Sequence, residues 1–232
     1  MLLGVARSEG DRVAVVVGVL SGLGTVAVIG ALLFGCAGRA DLPMFWAYLG
    51  VWMGACLMLP LVVDAGLIRE RLRPGPGGKD YAIAIAVLPL AASQFAAAGL
   101  DVGRYHWSDT VPPALRIVGL AATAAAFAVM GWAMVVNRFF SSVIRIQTER
   151  GHHVVTNGPY RFVRHPAYAV APFLFVGSGL ALGSWLATLI GTLLILPVVR
   201  RARDEDRVLR DRLPGYADYA AKVRYRLLPR VW

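Results

Sequence analysis

Residues 167–199 read AYAVAPFLFVGSGLALGSWLATLIGTLLILPVV, an unbroken stretch of about 33 residues without a single charge. A helix needs roughly 20 apolar residues to cross about 30 Å of hydrocarbon, so this run is too long for one ordinary span. Gly177, Gly179, Gly183 and Ser184 stand near its middle, where a helix is most easily broken. The stretch therefore predicts a tight hairpin of two helices, the second ending near Pro197. A hairpin of that composition belongs in a bilayer.

Toward the N-terminus, runs at 13–34, 44–68, 81–100 and 114–136 are each long enough to span. Composition agrees: of 232 residues 57% are hydrophobic and 16% charged, against about 45–50% and about 25% in a soluble domain. Mean hydropathy is +0.60. Disorder is excluded, because it requires low hydrophobicity. A disulfide scaffold is excluded too, since only Cys36 and Cys56 are present, both near apolar runs where free thiols are expected. The fold class is an all-α polytopic transmembrane helical bundle of five to six spans, the last two being the hairpin. Residues 1–137 form the N-terminal transmembrane helices, and 138–232 a second unit. Gly22, Gly24, Gly30 and the small residues 121–126 would let helices approach closely.

The net charge of +10 is unevenly distributed. Residues 1–137 carry nine basic and eight acidic groups, and 138–232 carry fifteen and six. Basic residues flank the apolar spans instead of forming a solvated stripe, which fits membrane lipids as a partner and not nucleic acid. The 69–79 loop holds four basic residues and 138–164 holds five, whereas the loops around Arg39 and Arg104 hold one and two. The positive-inside rule then puts both termini, the 69–80 loop, 138–166 and the C-terminal tail in the cytosol. The first run follows a short polar leader but is longer than a signal h-region, and is read as a retained helix. The Ala, Gly and Arg bias points to a prokaryotic inner (cytoplasmic) membrane.

Chemistry-bearing residues concentrate around the hairpin. Residues 147–168 read QTERGHHVVTNGPYRFVRHPAY and hold every histidine except His106. After the hairpin come RRARDEDRVL at 200–209 and LPGYADY at 213–219. Taken singly, each has a plain reading. Arg200 to Arg203 is a topology signal, Asn157-Gly158-Pro159 a turn, Tyr216 and Tyr219 an interfacial belt, and Arg201 with Glu205 a surface ion pair four residues apart on a helix. His152, His153 and His165 match no zinc spacing, so no metal is expected.

Taken together, the string Gly158-Pro-Tyr-Arg-Phe-Val-Arg-His-Pro-Ala-Tyr168, the hairpin, Arg201-x-x-x-Glu205-Asp206-x-x-Leu209 and Tyr216-x-x-Tyr219 resemble the isoprenylcysteine carboxyl methyltransferase family and its phospholipid methyltransferase relatives. The resemblance implies that 138–232 is a methyltransferase core with a cytosolic C-terminal segment that binds S-adenosylmethionine. Carried over position by position, it makes Gln147, His152, His153, Val154, Val155, Tyr160, His165, Pro166, Ala167, Tyr168 and Glu205 cofactor-binding, Gln147 only after a short gap in the alignment. Arg201 is expected to position the substrate carboxylate. Asp206 departs from the family's Glu-Glu pair, and Leu213-Pro214-Gly215 stands where the family has Phe-Gly.

The residue chemistry agrees with that implication. The cofactor carries a sulfonium, an ammonium and a carboxylate: Glu205 offers the ammonium a counter-charge, Tyr160 and Tyr168 offer faces or oxygens near the sulfonium, and backbone groups of Val154 and Val155 offer an adenine edge. Charged residues at a membrane edge are functional candidates by default. The resemblance implies carboxyl O-methylation of an isoprenylcysteine-like or other lipophilic acid, with a lipophilic or lipidated acceptor. The alternatives are a phospholipid or amine N-methyltransferase, an NADPH-dependent membrane reductase, and a nonenzymatic membrane scaffold.

Overall fold

The computed structural model describes residues 8–76 and 81–229. Residues 1–7, 77–80 and 230–232 lie outside the described residues, and with them part of the expected leader, of the 69–79 connector and of the C-terminal tail. Among the described residues 74% are helical and no strand occurs.

The first five helices are α1 (Glu9–Ala37), α2 (Pro43–Val62), α3 (Ala65–Leu72), α4 (Tyr81–Leu100) and α5 (Pro113–Val136). After a long loop follow α6 (Pro166–Ala169), α7 (Ala171–Leu182), α8 (Trp185–Leu193), α9 (Ile195–Arg212) and α10 (Tyr216–Lys222). Four helical stretches, Glu9–Ala37, Pro43–Val62, Pro113–Val136 and Trp185–Arg212, are long and apolar enough to cross a membrane. Their outer surfaces expose Val13, Val16, Leu20 and Val28 on α1 and Ile117 and Val118 on α5. A helix that is apolar on its outward face as well as its inward one needs lipid around it. The fold is a polytopic membrane helical bundle.

The expected span at 44–68 is corrected. α2 stops at Val62, and Asp64 caps a separate helix by accepting at Oδ1 from the Leu67 amide at 3.1 Å. Leu67 and Ile68 are apolar because α3 turns back and buries them against Ala14, Val15 and Met134, not because they face lipid. Arg69 of α3 pairs with Asp11 of α1 at 2.8 Å, which ties the start of α1 to the same end of the bundle.

The hairpin forms as expected, with its turn at Gly183 and Ser184. Gly183 has φ 79°, a left-handed conformation that side chains with a Cβ rarely adopt. Ser184 caps α8 by accepting from the Ala187 amide at 3.0 Å, and its hydroxyl donates to the buried Asp101 carboxylate at 2.5 Å. α7 lies along α5 so closely that a Cβ on Gly119 would stand 2.6 Å from the Gly177 carbonyl oxygen. Gly22 meets Cys56 of α2 in a similar way, whereas nothing stands within 4 Å of a Cβ on Gly24. Both cysteines are free.

The expectation that the second arm ends near Pro197 is also corrected. Pro197 falls in the first turn of α9, where its missing N–H costs least, and the helix only breaks step at Leu194. α9 then continues through Arg212. Arg201, Glu205 and Asp206 are thereby carried on one rigid helix extending from an apolar arm.

Candidate functional site

The loop 137–165 fills the end of the bundle where α5 stops and α9 emerges. Asn137 begins it: its side-chain oxygen accepts from the Phe139 amide at 2.9 Å and its amide donates to the Tyr160 hydroxyl at 3.1 Å. Arg145 is buried and forms a fork on Glu70 of α3, with Nε to Oε1 at 2.8 Å and a terminal nitrogen to Oε2 at 2.6 Å, and it reaches Glu149 at 2.6 Å as well. Burial works against the Glu70 charge, but the Arg145 guanidinium and the Ser141 hydroxyl outweigh it and hold the carboxyl below its ordinary range.

A cavity of about 780 Å³, its open mouth included, lies between this loop and α9. Its walls include Asn137, Phe139, Phe140, Ser141, Arg145, Arg164 and Glu205, the 152–155 segment, Tyr160, the 165–168 element, and Leu209, Leu213, Tyr216 and Tyr219. Of the twelve positions expected from sequence, ten line it: His152, His153, Val154, Val155, Tyr160, His165, Pro166, Ala167, Tyr168 and Glu205. The other two stand just behind the wall.

Gln147 is fully buried, donates from its amide to the Phe139 carbonyl at 2.7 Å and accepts from Arg150. It shapes the loop and does not face the cavity. Arg201 donates from Nε to the Tyr168 hydroxyl at 2.7 Å and from a terminal nitrogen to the Ser142 carbonyl at 2.7 Å. Tyr168 in turn donates to Glu205 Oε2 at 2.7 Å. One tyrosine thus joins the two halves of the sequence signature, with its oxygen between the guanidinium and the carboxylate.

The rings of His152 and His153 both meet Phe139, the first stacked with centroids 4.6 Å apart and the second edge-on at 5.0 Å. Burial pulls the His152 pKa down from 6.5 to about 4. Its Nδ1 accepts from the Gln147 amide at 3.3 Å, so the neutral ring carries its hydrogen on Nε2.

Asp206 has a different task from its neighbour. Its carboxylate is fully buried and accepts from Arg164 at 2.8 Å, Arg226 at 2.9 Å, Arg210 at 3.0 Å and the Tyr216 hydroxyl at 3.0 Å. Arg164 also donates to the carbonyls of Val223 and Arg224. The Arg164 and His165 amides donate to the Tyr225 and Arg226 carbonyls, both at 3.0 Å. The C-terminal segment is strapped across the back of the site around this one carboxylate. Tyr219 completes the closure by donating to the Tyr160 carbonyl at 2.5 Å, above an apolar floor of Leu213, Tyr216 and Ala220.

Sequence reasoning missed the 137–145 wall, reading it only as the start of a basic, cytosolic segment at 138–166. Its signals were Asn137 directly after a span and the aromatic pair Phe139-Phe140. The lining combines one half-buried carboxylate with several aromatic faces, a donor set that suits an organic cation. Among the described residues no group of three His, Cys, Asp or Glu is placed to hold a metal.

Residues 115–211 match the model of the isoprenylcysteine carboxyl methyltransferase family. A cobalt-zinc-cadmium resistance protein, CzcN, of Cupriavidus metallidurans is 30% identical over 133 residues, 56% of each chain. Probable protein-S-isoprenylcysteine O-methyltransferases of Oryza sativa, from the indica and japonica subspecies, are 36% identical over 88 residues, 37% of this chain and 46% of theirs. The chain spans about half the length of the curated relatives it matches.

Proposed function

Because residues 115–211 match the model of the isoprenylcysteine carboxyl methyltransferase family, we propose that this chain is an integral membrane methyltransferase that uses S-adenosylmethionine to esterify the carboxylate of a lipophilic acid. The observation that carries the reading is the Arg201–Tyr168–Glu205 chain of hydrogen bonds at the cavity wall. It unites both motifs at the point where a cofactor from water and an acceptor from lipid must meet. In this reading the site faces the cytosol, as do both termini.

The residues fit the cofactor. Glu205 supplies a counter-charge for its ammonium, and Tyr160, Tyr168 and Phe139 supply faces for its sulfonium end. Backbone groups of Val154 and Val155 are within the lining for its adenine edge. When bound, the cofactor supplies a methyl carbon activated by the positively charged sulfur. The remaining work is alignment, because displacement at carbon requires the attacking oxygen, the methyl carbon and the sulfur to lie in line. Arg201, fixed by Tyr168 and Ser142, is the residue to orient the acceptor carboxylate, since a planar guanidinium matches two oxygens. The opposite charges of carboxylate and sulfonium shrink together toward the transition state, which a cavity walled by buried aromatic and apolar groups favours.

An ionised carboxylate needs no proton removed, whereas an ammonium acceptor would require a general base. His152 is poorly suited to that role: its Nδ1 is already engaged by the Gln147 amide, and Nε2 is a donor. The deciding experiment is isothermal titration of the detergent-purified chain with S-adenosylmethionine and with NADPH. Binding of the first and not the second is expected. Binding of NADPH alone would move the assignment to a reductase, and binding of neither would leave a nonenzymatic scaffold.

A further inference from the structure

α3 holds the cavity wall at both of its ends, although it lies outside the matched residues 115–211. At its start Asp64, the N-cap, stands 3.6 Å from Arg150, which in turn donates to the Gln147 side chain. At its far end Glu70 takes the Arg145 fork and accepts from the Ser141 hydroxyl at 2.8 Å, and the Arg71 carbonyl accepts from the Ser142 hydroxyl at 3.3 Å. Ser141 and Arg145 both line the cavity, and Glu70 stands behind them. α3 is itself fixed to the bundle, by Leu67 and Ile68 packed with Ala14, Val15 and Met134 and by Arg69 on Asp11.

The wall has little regular structure of its own: between α5 and α6 only Thr148–Arg150 and Gly158–Arg161 form short helical turns. Side-chain anchors therefore set its position. The Glu70–Arg145 fork is buried on both sides, and a planar fork on a carboxylate fixes direction as well as distance. The same terminal nitrogen of Arg145 also reaches the exposed Glu149 at 2.6 Å. Removing the Glu70 charge thus leaves Arg145 a carboxylate partner, but one that lets it turn toward solvent and take the wall with it. The expected defect is a displaced wall and not an orphaned charge.

We propose that Glu70 is a positioning residue for the S-adenosylmethionine site: acting through Arg145 and Ser141, it holds the wall that carries Phe139, His152 and Val154 in its cofactor-binding position. The N-terminal helices are then the frame of the site as well as its anchor in the bilayer. This rests on the methyltransferase reading above.

The full-length protein in detergent is titrated calorimetrically with S-adenosylmethionine, and its amides are followed by hydrogen exchange without cofactor. Glu70→Gln is expected to weaken binding about tenfold, as for the loss of a charge-assisted contact, and to speed exchange over 139–155 about tenfold while α5 and α7 exchange as in the wild type. Arg145→Gln should weaken binding as well, and the double variant should fall well short of the product of the two single effects, because the acid acts through the arginine. Arg69→Gln, which loosens α3 from Asp11 on its exposed side, should bind within about twofold of the wild type.

A Glu70→Gln variant with unchanged exchange over 139–155 overturns the proposal, as do single effects that multiply in the double variant. Protection lost equally from α5 and α7 would make Glu70 a residue of general stability, and an equal loss of affinity in Arg69→Gln would mean that any disturbance of α3 suffices; either result overturns the role as well. A wild type that binds no S-adenosylmethionine refutes the methyltransferase reading and this proposal with it. A wild type that binds, beside a Glu70→Gln variant of the same affinity, refutes the role of Glu70 alone.

Discussion

Asp206→Asn replaces one oxygen by an NH₂ group and tests whether the two adjacent acids of α9 divide structure from function. The wild-type carboxylate is fully buried and is shared by Arg164, Arg226, Arg210 and Tyr216. Asparagine keeps the volume but removes the charge and turns a donor toward guanidinium donors. Arg164, only 3% exposed at its side chain, is left as an uncompensated buried cation, a defect that costs about 3–5 kcal/mol. Arg210 and Arg226 are 42% and 30% exposed and partly recover by hydration, each adding less than about 1 kcal/mol. At about 2–4 °C per kcal/mol for a chain of this size, the apparent Tm in detergent should fall by roughly 10 °C. The C-terminal strap should loosen first, since Arg164 also holds the carbonyls of Val223 and Arg224. Thermal unfolding followed by tryptophan fluorescence, with cofactor titration well below the transition, reads both effects. A variant whose Tm stays within about 2 °C of wild type while its cofactor affinity collapses would show Asp206 to be a ligand and refute the division.

Glu205→Gln should lower S-adenosylmethionine affinity about ten to a hundredfold by removing a charge-assisted contact, with Tm nearly unchanged. Asp204→Asn, whose side chain is 43% exposed and pairs only loosely with Arg200 at 3.9 Å, should change affinity little; equal effects in titration calorimetry would reduce the site to general surface charge. His152 protonates in the unfolded chain as pH falls below about 6.5 but in the fold only near 4, so its contribution to stability is present above pH 6.5 and is lost on acidification toward pH 4. His152→Gln should flatten that part of a denaturant-melt pH profile, and an unaltered slope would mean the imidazole is not the group responsible. Turnover of a carboxylate acceptor should stay nearly flat from about pH 6 to 8.5 and fall steeply in Arg201→Lys; a rate rising about tenfold per pH unit, with lysine tolerated, would indicate an amine acceptor.

Much of the bundle is legible in sequence because lipid imposes a length rule on apolar runs, and 81–100 and 114–136 need almost no adjustment. The rule fails where an apolar residue is buried by protein instead. Leu67 and Ile68 continue the hydropathy of α2 although they belong to α3 and pack against α1 and α5, and only Asp64, a cap in the middle of an apolar run, marks the break. Pro197 misleads for a complementary reason: a proline ends a helix in its interior but is tolerated in a first turn, and which turn it occupies depends on the break at Leu194.

The site divides along similar lines. Residues that would touch a ligand through side chains set by a short rigid element, such as Tyr168 after Pro166 or Glu205 on α9, are readable because their spacing is fixed locally. Gln147 and Arg201 are readable only as positions, since the partners that hold their amide and guanidinium, Phe139, Tyr168 and Ser142, are supplied by the tertiary fold. Glu205 and Asp206 make the same point within one helix. Adjacent positions on a helix stand about 100° apart, so two acids that look alike in sequence face a ligand cavity and a buried arginine cluster respectively. The short Asp206 side chain, at the position where the resembled family has Glu, meets Arg164, Arg210 and Arg226 at 2.8, 3.0 and 2.9 Å and so is spent wholly on the strap that surrounds it.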